Sequence, residues 1–309
     1  MKRFSSMTTT QIARICGVSQ GTVDRALHGR PGIKPETRER ILSVAREYAY
    51  VPSVNGRQPS GKSMLIGVVL YDLYNEFFSK LAMSLTETFQ RVGYSVVFLF
   101  SDKELAAERS ALDYFNYIGV DGIILFSVGS DDAEYLSYLR SIMRPMVVVG
   151  NRLGDLTYIG VDDERAMYDL TVRMLEQNEH GETVYFAPIL NRNLHSVNAQ
   201  RLRFAGFCRA AEERGRVWRL VTDEESLSAD AAAIICSTDY YVLRVLKKFG
   251  FFCRIPIAGF DHVSALENIG KAIMTVDYST DLIAEECMHY LLKRNFEPCI
   301  PHTVWDGEI

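Results

Sequence analysis

No stretch of the 309 residues approaches the ~20 consecutive apolar positions of a membrane-spanning helix, so no membrane partner is expected. The opening "MKRFSSMTTT" has basic residues but no apolar core behind them. No secretory leader is therefore expected, and a cytoplasmic location is. The six cysteines (Cys16, Cys208, Cys236, Cys253, Cys287 and Cys299) are scattered and form no CxxC pair. Neither a disulfide framework nor a structural zinc site is expected, and most of these thiols read as small core residues in a reducing compartment. No GxSxG, HExxH or P-loop occurs and the six histidines are isolated. No catalytic set, metal or cofactor is therefore expected.

What is present is an uneven distribution of charge. The chain carries 34 Lys+Arg against 39 Asp+Glu, a formal −5. Residues 1–62 hold 11 basic and 4 acidic side chains, and the rest holds 23 basic and 35 acidic ones. A basic module for a polyanion, joined to an ordinary acidic body, fits that asymmetry. A hydrophobic content of 48% supplies ample core material, and the length suits two domains with a small third.

In "QIARICGVSQGTVDRALHGRPG", Ile12 and Ile15 mark one face of a first helix and Gly17 ends it. Ser19 is placed to cap a second helix. There Val23, Ala26 and Leu27 share an inward face, and Gln20, Gly21, Asp24, Arg25 and His28 share the other. Pro35 opens a third helix carrying Ile41, Ala45 and Tyr48 at i, i+4, i+7. Three short helices with a tight turn between the first two make a helix-turn-helix. The stretch "IARICGVSQGTVDRALHGRPGIKPETRERILSVAREYAYVP" closely resembles the DNA-binding head of the LacI/GalR regulators. Ala13, the "GVS" at 17–19, the "TV" at 22–23, Arg25 and "ETRERI" carry the likeness. The resemblance implies that the second helix enters the major groove of operator DNA. Gln20 then suits adenine and Arg25 guanine, each bidentately, although Arg25 also suits a phosphate. Ser19 and Thr22 either contact phosphate or cap the helix. Gly21 offers no side chain where the family often has a base reader. Asp24 replaces a common Ser, and either accepts from a cytosine or orients Arg25 or His28.

Residues 52–63, "PSVNGRQPSGKS", form a polar linker between a head at 1–51 and a body at 64–309. In the family this linker becomes a short hinge helix on DNA and pushes a Leu into the minor groove. Here Pro59 stands at the Leu position and Gly56 at a usual Ala position. Pro costs about 3 kcal/mol and Gly about 1 kcal/mol in a helix interior. Residues 53–60 are therefore expected to stay extended or irregular on DNA and to bend the operator little, with Arg57 still able to reach the minor groove. A DNA-bending assay decides this. Strong bending, unchanged in a Gly56→Ala/Pro59→Leu variant, would show that a hinge helix forms regardless.

From Met64 onward, strands such as "MLIGVVLY", "SVVFLF", "GIILFS" and "PMVVVG" alternate with amphipathic helices. The second half repeats the scheme through "TVYFA", "VWRLV", "AAIIC" and "PIAGF". That pattern predicts parallel sheets covered on both faces, an α/β class. With "VDDERA", "RLRFAGF" and "IAGFDH", the body resembles the two-lobed, type I periplasmic-binding-protein-like core of the same family. Lobe 1 is expected over about 64–160 plus 277–295, and lobe 2 over about 161–276 plus 296–309. Only about ten residues separate "VWRLV" from "AAIIC", so the crossover helix there is expected to shrink to about two turns.

Ligands of open parallel sheets sit beyond the carboxyl ends of the strands. Asp261, Asn151 and Thr238 follow strands, Arg203 begins a helix, and Tyr71 and Phe78 flank the first strand-to-helix turn. The resemblance implies that Arg203 and Asp261 hold a small effector. A carboxylate accepts hydroxyls, a guanidinium donates in a fixed fork, and an aromatic offers a flat face to a sugar or base. Asn151 and Thr238 replace the family's more usual Asp and Asn. The polar loop with Asn191, Asn193 and His195 either rims the cleft or is a plain surface loop. The expected function is an effector-gated, DNA-binding repressor, homodimeric on its operator and responsive to a sugar-like molecule. The rival reading is a small-molecule-binding protein with a vestigial head.

Overall fold

The structure is a computed structural model, and it describes residues 9–27, 30–47, 62–129, 131–178, 180–191 and 198–307. His28, Tyr48, Gly56, Arg57, Pro59, Asn193 and His195 lie outside the described residues, as does nearly all of the linker.

The head consists of α1 (Thr9–Cys16), α2 (Gln20–Leu27) and α3 (Pro35–Glu47). Ile12, Ala13, Cys16, Val23, Ala26, Ile41 and Ala45 close one small core. The inward face of α1 is thus Ile12, Ala13 and Cys16. Ile15 is 50% exposed, against expectation, because a step of three from Ile12 falls short of a full turn and the i+4 position belongs to Cys16. Gly17 ends α1 with φ +59, a left-handed turn that a side chain would strain.

The body contains two six-stranded sheets. The first has the order β11-β5-β4-β3-β1-β2, from β1 (Leu65–Leu70), β2 (Ser95–Phe100), β3 (Gly122–Leu125), β4 (Met146–Val149), β5 (Tyr158–Val161) and β11 (Cys299–Ile300). All its pairings are parallel. The second has the order β12-β10-β9-β8-β6-β7, from β6 (Thr183–Phe186), β7 (Trp218–Val221), β8 (Ala233–Cys236), β9 (Ile257–Phe260), β10 (Met274–Tyr278) and β12 (His302–Trp305). Only β12 runs antiparallel there.

Sheet membership corrects two lobe limits. Cys299–Ile300 extends the first sheet beside β5, although 296–309 was expected in the second lobe. Asp277 and Tyr278 belong to the second sheet, not the first. These segments are short and lie where the chain passes between the sheets, so pattern alone does not assign them.

Helices α4 (Glu76–Gln90), α5 (Leu105–Ile118), α6 (Ala133–Ser141) and α10 (Thr280–Leu291) accompany the first sheet. With the second go α7 (Asp163–Gln177), α8 (Asn198–Glu213) and α9 (Asp239–Phe249). Side-chain oxygens cap several N-termini: Asn75 accepts from Phe77, Asp162 from Arg165 and Ser279 from Leu282. Leu81, Leu85, Phe89, Ile124 and Val147 lie in the first lobe's core, where each fully buried Leu or Phe stabilises by about 2–3 kcal/mol. The second sheet is apolar on both faces, with Tyr185, Phe207 and Phe260 on one and Phe186, Val242 and Leu246 on the other. α7 and α8 nearly touch at Gly206, where an added Cβ would stand 2.1 Å from the Glu164 carbonyl oxygen.

Between β7 and β8 the chain makes turns and no helix, so even the shortened helix expected there is absent. Leu227 and Ala231 bury themselves against Val221 and Ile234 in its place. α9 secures the segment from its polar side. Lys248 Nζ donates to the Glu224 carbonyl, to Glu225 O at 3.3 Å and to Leu227 O at 3.0 Å, and Arg244 pairs with Glu224. An ammonium with three donors thereby satisfies carbonyls that a helix would have satisfied internally.

Candidate functional site

In the head, Gln20, Gly21 and Arg25 are exposed on α2, and Thr22 is half-buried. Ser19 Oγ accepts from the Thr22 N–H at 3.2 Å and lies 2.9 Å from the Thr22 hydroxyl, so both engage the helix N-terminus. Gln20 Nε2 donates to Thr9 Oγ1 at 2.9 Å. The Asp24 carboxylate pairs with Arg30 at 3.0 Å, because the chain turns back toward α2 before α3 begins.

In the body, Tyr71, Phe78, Asn151, Arg203, Thr238 and Asp261 all line one cleft of about 520 Å³ between the two sheets. The centre of the cleft is an ion cluster. The Arg203 guanidinium donates from Nε to Asp163 Oδ1 at 2.7 Å and from Nη1 to the Ser237 carbonyl at 2.9 Å. Nη1 also lies 3.5 Å from Asp261 Oδ1. Its plane rests 3.6 Å from the Phe260 ring centroid, a cation–π contact in a water-poor place. Tyr278 donates its hydroxyl to Asp261 Oδ1 at 3.0 Å. The side chains of Arg203, Asp163 and Asp261 are 7%, 3% and 6% exposed, so solvent screens these charges little.

Local backbone makes the cluster possible. Asp261 and His262 leave β9 with φ +110 and +45, rare for residues with a side chain. Such conformations cost about 1–3 kcal/mol each. The Asp261 N–H bonds Val276 O at 3.1 Å and the His262 N–H reaches Thr275 Oγ1 at 3.3 Å, which hold the turn in place. Below it, fully buried Asp239 accepts from Val263 N and from the Thr275 hydroxyl at 3.0 and 2.9 Å. Thr238 precedes α9 with no side-chain cap bond.

The opposite wall is aromatic. Phe78 packs edge-on against Tyr71 and Phe126, with centroids 5.4 and 5.2 Å apart. Tyr71 donates to Ser127 O at 2.7 Å and accepts from Asn151 Nδ2 at 2.8 Å. Tyr71 and Phe78 thus belong to the core and to the cleft wall at once. Behind Ser127 lies Glu108, fully buried, which accepts from Ser127 Oγ at 2.9 Å, from Val128 N at 2.6 Å and from the Tyr135 hydroxyl.

Hydrogen bonds between described residues join the lobes around the cleft. Asn151 Oδ1 accepts from Ala199 N at 3.2 Å, Lys80 Nζ donates to His262 O at 3.1 Å, and Glu76 Oε1 accepts from Ser264 N at 2.8 Å. A second depression of about 430 Å³, along α4 and the start of α10, contains none of the candidates.

Burial pushes the Asp163 carboxyl up to about 6, with Arg203 opposing and Asp261 reinforcing. Burial and the neighbouring Asp261 push Asp239 up to about 7, and burial does the same for Glu108. These groups hold protons more tightly folded than unfolded. Their contribution to stability is therefore complete below about pH 4 and is lost as pH rises through 6–7. The melting temperature is expected to be several degrees higher at pH 5.5 than at pH 8, at about 2–4 °C per kcal/mol. Calorimetric scans at the two pH values check this, and a lower melting temperature at pH 5.5 would contradict the placement of these carboxyls.

Sequence reasoning missed Asp163, Asp239, Phe77 and Tyr278. Asp163 lay within "VDDERA", but nothing in that run separates it from the capping Asp162. Among the described residues no helix is long and apolar enough to cross a membrane.

The fold has known counterparts. A profile described as bacterial regulatory proteins, lacI family, matches residues 8–53. One for periplasmic binding proteins and the sugar binding domain of the LacI family matches residues 63–242. Catabolite control protein A of Priestia megaterium is 27% identical over 215 residues, 68% of this chain and 62% of that protein. The chain thus spans about three fifths of the length of such curated relatives. Among solved structures, the Cra dual regulator of Pseudomonas putida with fructose 1-phosphate superposes with a TM-score of 0.66 at 16% identity, covering 80% of this chain and all of that one. A lac repressor dimer bound to operator and an anti-inducer superposes at 0.65 with 18% identity, covering 97% of this chain and 98% of that one. With its helix-turn-helix head, its two parallel sheets and profiles that together match most of its length, the chain belongs to the LacI family of bacterial regulatory proteins.

Proposed function

We propose that the chain is a cytoplasmic DNA-binding transcriptional regulator, a repressor, and not an enzyme. Two copies present their heads to a near-palindromic operator, since one helix-turn-helix makes too few contacts for tight selection. A small hydroxyl-bearing effector of the sugar type sits between the lobes on Arg203 and Asp261, flanked by Tyr71, Phe78, Asn151 and Thr238. The observation that carries this reading is the cleft itself: convergent polar groups on one wall and aromatic rings on the other. A relative crystallised with a sugar phosphate and another with operator DNA support it. The effector shifts DNA affinity to the extent that it favours one lobe arrangement over the other.

A thermal-shift screen of sugars, polyols, sugar acids and purines on the purified chain identifies the effector. Asp261→Ala is expected to abolish the shift while the variant remains folded, because Arg203 keeps Asp163 as its counter-charge. A shift of undiminished size in that variant would move the site elsewhere.

A further inference from the structure

Among the described residues lining the cleft, three carry positive charge: Lys103, Arg203 and Arg244. Each already faces an acid. Lys103 lies 3.3 Å from Asp72, Arg244 pairs with Glu224, and Arg203 sits between Asp163 and Asp261. The first two pairs are at the rim, where water screens them. The third is enclosed, and there the charges do not balance. One guanidinium serves two carboxylates, and Asp239, with no exposure, lies close enough to Asp261 to feel its charge. Arg203 has committed Nε and Nη1, leaving Nη2 as its remaining donor group, while acceptors are in excess. Such an enclosure is stabilised by proton donors that bring no negative charge. An added anion meets two or three carboxylates at short range in a poorly screened medium.

We propose that this cleft selects on charge: its deep end takes an uncharged, hydroxyl-rich ligand and rejects the sulfated or carboxylated form of the same molecule, with Asp163 as a determinant of that rejection. The proposal rests on the effector site proposed above and adds the ligand's charge class to it. Asp163 acts through the field it contributes and through its hold on Arg203. Arg203 and Asp261, together with Asp162, Tyr158, Tyr185 and Tyr278, are the titratable and charged groups that face it from the surrounding elements.

The test is calorimetry on the full chain with matched probes whose charge is fixed across the pH range used. D-glucose, D-galactose and D-xylose are the neutral members, and D-glucuronate, D-galacturonate and glucose 6-sulfate the anionic ones. The expected result is binding of a neutral sugar, with its anionic counterpart at least 100-fold weaker. Asp163→Asn is expected to narrow that gap at least tenfold. In the unsubstituted chain, lowering the pH from 7.5 to 5.5 should narrow it in the same direction, which keeps the test decisive if the variant does not fold. An anionic probe binding within tenfold of its neutral partner overturns the proposal. A gap unchanged both in the variant and at pH 5.5 assigns the discrimination to shape and also overturns it. If no member of either set binds, the sugar-type effector site itself fails, and the charge rule with it.

Discussion

Arg203→Ala is expected to destabilise the body by about 3–5 kcal/mol at neutral pH, the usual cost of removing one partner from a buried ion pair. The substitution strips the counter-charge from Asp163 and Asp261, leaves the Ser237 carbonyl without its donor and empties the space above Phe260. Two carboxylates with under a tenth of their surface exposed then remain in a low-dielectric enclosure. They recover by taking up protons, so the loss should shrink as pH falls toward 5. A second route to recovery is to remove one acid. Arg203→Ala/Asp163→Ala should be less destabilised than the sum of its single changes, the signature of two groups in direct contact. Urea unfolding of the four proteins measures the cycle. A cost below about 1 kcal/mol for Arg203→Ala would mean that the carboxylates reach water, contrary to the burial described above.

Arg25→Ala is expected to remove most operator preference while leaving weak, salt-sensitive binding to any duplex. A bidentate arginine–guanine pair discriminates by about 1–3 kcal/mol, and two heads double that, so the specific-to-general affinity ratio should fall by about 30-fold to 10⁴-fold. The residual binding comes from phosphate contacts and should still decline steeply with salt. Arg25 is exposed on α2, so the change should leave the head's fold intact. Gln20→Ala should cost less, since one N–H of the Gln20 amide is already engaged by Thr9. Competition binding with operator and scrambled duplexes gives both ratios. Full sequence preference in Arg25→Ala would mean that another surface reads the DNA.

The features most legible in the sequence were those set by local pattern. Alternating apolar runs and amphipathic helices gave the parallel sheets, and a residue directly after a buried strand, such as Asp261 or Asn151, lands at the mouth of the cleft by topology alone. Ser19 was legible as a cap because capping is a contact within one turn. What stayed hidden depends on distant partners. Asp163 differs from Asp162 only in facing Arg203, 40 residues away. Tyr278 reaches Asp261 from a strand whose sheet membership pattern did not settle. The missing crossover helix was visible as a short spacing, but its replacement was not. Lys248 holds that segment from α9, more than 20 residues along the chain.

The bonds from Lys80, Glu76 and Asn151 cross the cleft between protein atoms. This has a kinetic corollary. Where a molecule bound for Arg203 and Asp261 must pass those bonds, opening precedes capture. Capture should then run slower than the ~10⁵–10⁷ M⁻¹s⁻¹ of an open docking surface. As ligand concentration rises, the observed rate should level off at the opening rate of the protein, on the microsecond-to-second scale of such motions. On that route departure is gated by the same bonds, so residence time, like capture, is set partly by α4 and the turn after β9, and replacing Lys80 should change how quickly a change in effector concentration is felt.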